Sequence, residues 1–113
     1  MTSQQIIELI RAEERQLYIE LGPLSRMYGW DNKSTKYASE QWMTVLTILD
    51  KIQIMNKEEI LELIRNEEAE LYFQLLEQRE MYGPDDIGTR HTGAQWNAIT
   101  TILDKIEENE KAN

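Results

Sequence analysis

The stretch Ile-Ile-Glu-Leu-Ile-Arg at residues 6–11 is repeated almost unchanged at residues 60–65, where it reads Ile-Leu-Glu-Leu-Ile-Arg. With the same offset of 54 residues and no gap, Met-Tyr-Gly at 27–29 recurs at 81–83, and Thr-Ile-Leu-Asp-Lys-Ile at 47–52 recurs at 101–106. An ungapped match over this length indicates an internal duplication. Copy one then comprises residues 1–54 and copy two residues 55–113.

Each copy begins with a predicted amphipathic helix. Thr2 and Gln5 in copy one, and Asn56 and Glu59 in copy two, have the spacing of a capping box, in which two side chains satisfy free amides at a helix start. Apolar residues then recur at helical spacing: Ile6, Ile10, Leu17, Leu21, Leu24 and Tyr28, and in copy two Ile60, Ile64, Leu71, Leu75 and Tyr82. Gly29 and Gly83 are placed to end these helices.

A second helix is predicted to start near Thr35 and Thr89, after a short acidic turn. Its apolar residues are Ala38, Trp42, Val45, Ile48, Leu49 and Ile52, matched by Trp96, Ile99, Ile102, Leu103 and Ile106. Each copy is therefore predicted to form an antiparallel helical hairpin. Because one hairpin cannot cover its own apolar face, we expect a single all-α domain over residues 1–113, a four-helix bundle of two tandem hairpins.

Two details of the chain path follow from local sequence. Pro23 lies inside the first predicted helix, and a proline there removes a backbone hydrogen bond and clashes with the preceding turn, so we expect a break or kink near Leu21. The connection around Ile54 is short, which predicts that the second and third helices are antiparallel neighbours.

Composition and charge exclude several classes of protein. The chain has no cysteine and a net charge of −9, of which −1 belongs to residues 1–54 and −8 to residues 55–113. A strongly acidic chain is not expected to bind nucleic acid directly. No apolar stretch approaches the roughly 20 residues needed to cross a bilayer, and no secretory signal precedes the first helix. These features predict a cytoplasmic protein without a membrane contact.

Four glutamates interrupt the apolar faces of the first helices. Glu13, Glu14, Glu67 and Glu68 fill the gaps in the apolar spacing, and in a pseudosymmetric bundle they could share one polar layer. The expected partners are Arg11 and Arg65 of the same helices, and Lys51 and Lys105 of the neighbouring helices. Paired carboxylates occur in di-metal bundles, but those sites also use Glu-x-x-His motifs, which are absent here. A structural layer is therefore favoured over a metal site, and no cofactor is predicted.

Gln41, Gln95 and His91 are three further polar side chains that could contact a ligand. Gln41 and Gln95 are expected to face the core beside the two helical tryptophans and to satisfy each other or the nearby backbone. His91, which replaces Tyr37 of copy one, is expected at the surface.

Outward-facing residues suggest where a partner could bind. Ile19 and Phe73 occupy equivalent positions and are predicted to point away from the apolar stripe, and aromatic residues are common anchors of interfaces. The candidate partner surface is Ile19, Trp30, Tyr72, Phe73 and Leu76. A candidate acidic face on copy two comprises Glu59, Glu62, Glu70, Glu77 and Glu80.

These observations favour a non-enzymatic interaction module that binds a protein or self-associates, with a homodimer as one form. Two alternatives stay open. The acidic face could occupy a basic, nucleic-acid-binding groove of a partner, as an inhibitor that mimics nucleic acid. The glutamate layer could instead serve a metal-dependent hydrolase.

Overall fold

The chain forms four α-helices in the computed structural model, which describes residues 1–112. They are α1 (Ser3–Tyr28), α2 (Lys33–Ile52), α3 (Lys57–Tyr82) and α4 (Ile87–Ala112). No strand occurs in the described range. Helix α1 packs along α2, and α3 packs along α4. The prediction of an all-α, four-helix bundle made from two helical hairpins is confirmed.

The starts of α1 and α3 are fixed by the two predicted capping boxes. The Gln5 amide donates to Thr2 Oγ1 at 3.1 Å, and the Thr2 amide donates to Gln5 Oε1 at 2.8 Å. At α3 the corresponding distances are 2.9 Å and 3.1 Å, between Asn56 and Glu59. Each box satisfies two amides that have no partner inside the helix. The beginning of each hairpin is thus defined by local sequence.

The glycines end α1 and α3 as expected. Gly29 has φ of 78° and Gly83 has φ of 85°, values that favour glycine. The following helices start two residues earlier than predicted, at Lys33 and Ile87. The reason is capping: Asn32 accepts from the Ser34 amide at 2.9 Å, and Asp86 accepts from the Gly88 amide at 3.0 Å.

The predicted break in α1 is wrong, because one helix runs unbroken through Pro23. A proline deprives the carbonyl four residues earlier, that of Ile19, of its hydrogen bond. Pro23 and Ile19 are both exposed, so water can reach this turn of the helix. Ser25 Oγ also donates to the Gly22 carbonyl at 2.8 Å. The helix therefore tolerates the proline.

Both hairpins contribute to one hydrophobic core. It lies between the first halves of α1 and α3 and the second halves of α2 and α4. Its largest members have no more than 1 % exposure: Ile6, Ile10, Ile52, Ile60, Ile64, Ile99, Ile102 and Ile106. Burial of these side chains supplies the main favourable term in folding.

The hairpins meet chiefly through α2 and α4, whereas α2 and α3, joined by the short connection, contact each other less. A short connection fixes how far apart two helix ends are, but not which faces the helices bury. The apolar faces of α2 and α4 are the richest in buried residues, and they pack on each other.

The apolar stripe also ends sooner than predicted at the hairpin tips. Tyr28 is 53 % exposed and Tyr82 is 62 % exposed. The core cluster lies at the opposite end of the bundle, so these rings have little to pack against. None of the four helices, over the described residues, is both long enough and apolar enough to cross a membrane.

Candidate interaction surface

The inner glutamates Glu14 and Glu68 accept hydrogen bonds from tryptophans of their own hairpins. Trp42 Nε1 donates to Glu14 Oε1 at 3.0 Å, and Trp96 Nε1 donates to Glu68 Oε1 at 3.1 Å. All four side chains are half-buried. A charged acceptor makes these stronger than neutral hydrogen bonds. They join α1 to α2 and α3 to α4 at the same position in each copy.

A tyrosine covers each of these tryptophans. The ring centroids of Tyr18 and Trp42 lie 5.4 Å apart, and those of Tyr72 and Trp96 lie 5.8 Å apart. Both distances are within the range of favourable aromatic pairs. The duplication has thus preserved a complete Tyr-Trp-Glu arrangement in each hairpin.

The other two inner glutamates pair with lysines of the opposite hairpin. Lys51 Nζ of α2 lies 3.8 Å from Glu67 Oε1 of α3, and Lys105 of α4 forms an ion pair with Glu13 of α1. The Glu13 side chain is only 12 % exposed, whereas that of Glu67 is 32 % exposed. The lysines were anticipated as partners, but the pairs join the two copies.

The four glutamates are therefore divided between two tasks. One pair joins the helices within each hairpin and the other joins the hairpins to each other. Among residues 1–112, no three or more histidine, aspartate or glutamate side chains are grouped so as to hold a metal ion. The geometry accounts for these carboxylates as structural groups.

Gln95 was expected to pair with Gln41, but its hydrogen-bond partner is Glu40. Gln95 Nε2 of α4 donates to Glu40 Oε1 of α2 at 2.6 Å. His91 is exposed, as expected, and its ring also contacts the Glu40 carboxylate. Sequence reasoning missed Glu40 because copy two has Ala94 at that position. These contacts join α2 to α4.

The outer face of α3 is acidic with an aromatic residue at its centre. The glutamates recur at helical spacing on this face, and each is exposed: Glu59, Glu62, Glu70, Glu77 and Glu80. Phe73 falls in the same row, between Glu70 and Glu77, and is 68 % exposed. The row of five glutamates and Phe73 is called the α3 face below.

Two apolar residues adjoin Phe73 on α3. Leu76 is 42 % exposed and Tyr72 is 41 % exposed, and the Tyr72 and Phe73 rings lie 6.1 Å apart. Tyr72 also touches Trp96, so this patch is supported by the hairpin beneath it. Ile19 and Trp30, the other residues predicted for a partner surface, are both 63 % exposed but lie in hairpin one. Of the five predicted residues, only Tyr72, Phe73 and Leu76 lie on one helix.

The matching positions of α1 provide an internal comparison. They carry a single glutamate, Glu8, and one arginine; the full set is Gln5, Glu8, Gln16, Ile19, Pro23 and Arg26. The inner contacts are the same in both copies, whereas the outer faces differ in charge and in the central side chain. The fold that the two hairpins share therefore does not account for the α3 face.

Sequence reasoning overlooked the exposed apolar residues at the hairpin tips. Met27, Met81 and Ile87 are 72 %, 65 % and 71 % exposed. The repeated Met-Tyr-Gly predicts a helix end in each copy, and the two apolar residues before each glycine also indicate an apolar hairpin tip.

Fold and contacts together define a tandem-hairpin bundle with one differentiated outer face. No protein-family model matches the chain, and neither a curated protein nor a solved structure shows significant similarity to it.

Proposed function

We propose that this protein is a non-enzymatic interaction module, and that the α3 face binds a basic surface of another protein. The observation that carries the proposal is the exposed Phe73 in the middle of a row of five exposed glutamates. A partner of this chemistry has an apolar socket for the ring, bordered by lysine or arginine side chains.

The two components of the face have different physical roles. Exposed carboxylates attract a basic partner and accelerate encounter, with an effect that weakens as salt rises. A buried aromatic anchor contributes more to the lifetime of the complex. An acidic row without an aromatic residue would be adequately explained as a solvated helix surface, so the exposed Phe73 is the residue that supports binding.

Charge also favours a different protein over a second copy of this chain. An isologous dimer through the α3 face would bring two rows of glutamates together, and such like-charge contacts are unfavourable. Self-association by this face is therefore not part of the proposal.

The test compares equivalent positions of the two hairpins. Phe73→Ser and Ile19→Ser each remove an exposed apolar side chain at the same point of the duplication. Wild type and both variants serve as bait for the same extract, and the affinity of each for the captured partner is then measured with purified proteins. Phe73→Ser should weaken binding at least about tenfold, whereas Ile19→Ser should leave it unchanged. Equal affinity for wild type and Phe73→Ser would refute the proposal.

A separate variant tests what the glutamates of the α3 face contribute to binding. Replacing Glu70 and Glu77 by Gln removes two charges beside Phe73 without removing the side chains. We expect slower association and a weaker dependence of affinity on salt. If the affinity of this variant for the partner depended on salt as strongly as that of wild type, the acidic row would not contribute to binding.

A second candidate function is inhibition of a nucleic-acid-binding protein, and the acidic row favours it. Such a partner would present to the α3 face the same basic groove that holds its nucleic acid. Duplex DNA or RNA should then compete with the module for the purified partner. Simultaneous binding of both would exclude this mode and leave the general proposal intact.

A further inference from the structure

A second surface feature lies near the start of α4, in the corner between α3 and α4. A groove of about 240 Å³ is bordered there by Arg79, Arg90, Thr89 and the aromatic rings of Trp96 and Tyr37. The two arginines are the only charged residues among the described residues that line it. A groove with two positive charges and no acid is unexpected in a chain of net charge −9.

Neither arginine forms an ion pair within the described part of the chain. Arg79 and Arg90 take part in none of the ion pairs found among residues 1–112, although the sequence contains 21 acidic residues. A guanidinium group carries five N–H donors in a planar fork that matches a carboxylate or phosphate. The donors of both side chains are therefore available to a ligand.

Thr89 adds a buried hydroxyl at the same groove. The residue is 2 % exposed, and its Oγ1 has no hydrogen-bond partner in residues 1–112. The equivalent Thr35 of hairpin one donates to the Leu24 carbonyl at 3.3 Å. Buried hydroxyls normally have partners, and one without a partner calls for an explanation.

Hairpin one lacks the features that make this groove. Ser25 and Lys36 stand where hairpin two has Arg79 and Arg90, and Ser39 stands where it has Gly93. Gly93 lines the groove, so its missing side chain leaves the space open. Like those of the α3 face, the side chains that distinguish this groove occur only in hairpin two.

We propose that this groove binds an oxyanion, a carboxylate or a phosphate, carried by a small ligand with a flat apolar part. The guanidinium groups of Arg79 and Arg90 hold the oxyanion, and the Thr89 side chain lines the groove beside them. Trp96 and Tyr37 border the flat part of the ligand. The Tyr37 hydroxyl accepts a hydrogen bond from Asn97 Nδ2 at 3.0 Å, which holds the tyrosine ring in place. The volume is below the range of about 300–1,000 Å³ usual for drug-sized ligands, so the ligand is small.

The experiment uses phenyl phosphate and benzoate as probes of the two oxyanions. Each is titrated into the ¹⁵N-labelled full chain, and amide and indole signals are followed by NMR. Saturable shifts are expected at Thr89, Arg90, Gly93 and the Trp96 indole. The equivalent signals of hairpin one should stay unchanged: Thr35, Lys36, Ser39 and the Trp42 indole. The probe that binds more tightly identifies the preferred oxyanion.

Variants show whether the named side chains hold the probe. Arg79→Gln and Arg90→Gln should each weaken binding about tenfold or more, as expected for loss of a charged hydrogen bond. Gly93→Ser, which restores the residue of hairpin one, should narrow the groove and also weaken binding. The added Cβ would lie 3.8 Å from Leu75 Cδ1, an ordinary contact, so this variant should fold. Lys36→Gln is the matched control and should bind like wild type.

Three results would overturn the proposal. They are shifts that do not saturate for either probe, equal shifts at the Trp42 and Trp96 indoles, and an affinity unaffected by both arginine substitutions. None of them bears on the α3 face, because Phe73 does not line this groove.

Discussion

The indole nitrogen of Trp42 donates to the carboxylate of Glu14 at 3.0 Å, and this bond links α2 to α1. Its counterpart in the second hairpin, from Trp96 to Glu68, measures 3.1 Å. The two bonds show that the duplication preserved contacts as well as sequence. They also explain why acidic residues stand at positions where the apolar spacing would place a hydrophobic side chain.

The first prediction concerns these bonds. Trp96→Phe keeps an aromatic ring but leaves the half-buried Glu68 carboxylate without its donor. We expect a loss of about 1–3 kcal/mol in the free energy of unfolding, measured by urea denaturation. Trp30→Phe is the control, since Trp30 is 63 % exposed in the turn, and its effect should stay within about 0.5 kcal/mol. Similar losses in both variants would mean that the bond to Glu68 contributes little.

A second prediction distinguishes the two ion pairs between the hairpins. Glu13 is more buried than Glu67, so its pair with Lys105 is less screened by water than the Lys51–Glu67 pair. Double-mutant cycles with glutamine and methionine replacements should give about 0.2–1 kcal/mol for Lys51–Glu67 and a larger coupling for Lys105–Glu13. The reverse order would contradict the burial argument.

The shared core leads to a third prediction. Ile10 and Ile64 are equivalent residues with 0 % exposure in one core cluster. Ile10→Ala and Ile64→Ala should each destabilise the protein by about 2–5 kcal/mol. Both should shift a single unfolding transition, because neither hairpin retains its core without the other. Two separate transitions, each sensitive to only one substitution, would show that the hairpins fold independently.

Pro23 gives a fourth prediction, because α1 is continuous across it. Pro23→Glu introduces the residue that α3 has at the equivalent position, Glu77. Restoring the backbone hydrogen bond should raise the free energy of unfolding, by up to about 3 kcal/mol. The reciprocal Glu77→Pro should lower it by a similar amount. A decrease in stability for Pro23→Glu would show that the proline is required where it stands.

The fifth prediction concerns pH. The hydrogen bond from Lys57, 2.7 Å long, is the main cause that lowers the pKa of Glu110 below its ordinary value of 4.5. The same bond raises the pKa of Lys57 above 10.5. In Lys57→Gln, the Glu110 carboxyl should titrate closer to its ordinary value when followed by NMR. An unchanged Glu110 titration would mean that the pair is not formed in solution.

The sign of the pH effect on stability follows from these directions. A carboxyl with a lowered pKa stabilises the folded state above its unfolded value, and that contribution is lost as pH falls through the folded value. A lysine with a raised pKa stabilises the fold below 10.5 and loses this effect as pH rises through its folded value. The pair therefore contributes across neutral pH, and its exposure keeps the effect small.

The sequence by itself determined the local structure of this protein. The capping boxes at Thr2 and Asn56, the glycines with positive φ and the helical spacing of isoleucines act over a few residues, so their effects can be inferred without a partner helix. Because the same signals occur in both copies, the sequence predicts two equivalent hairpins. For the same reason the exposure of Phe73 could be predicted, because it depends on its position around one helix.

Only the tertiary structure decided how the hairpins fit together. Which lysine reaches Glu13, and that Glu40 rather than Gln41 meets Gln95, depends on how one hairpin is rotated against the other. That rotation is set by the packing of side chains from α2 and α4, which lie far apart in the sequence. The unpartnered Thr89 hydroxyl arises in the same way, since a spacing pattern specifies a face of a helix but not the atoms that meet it.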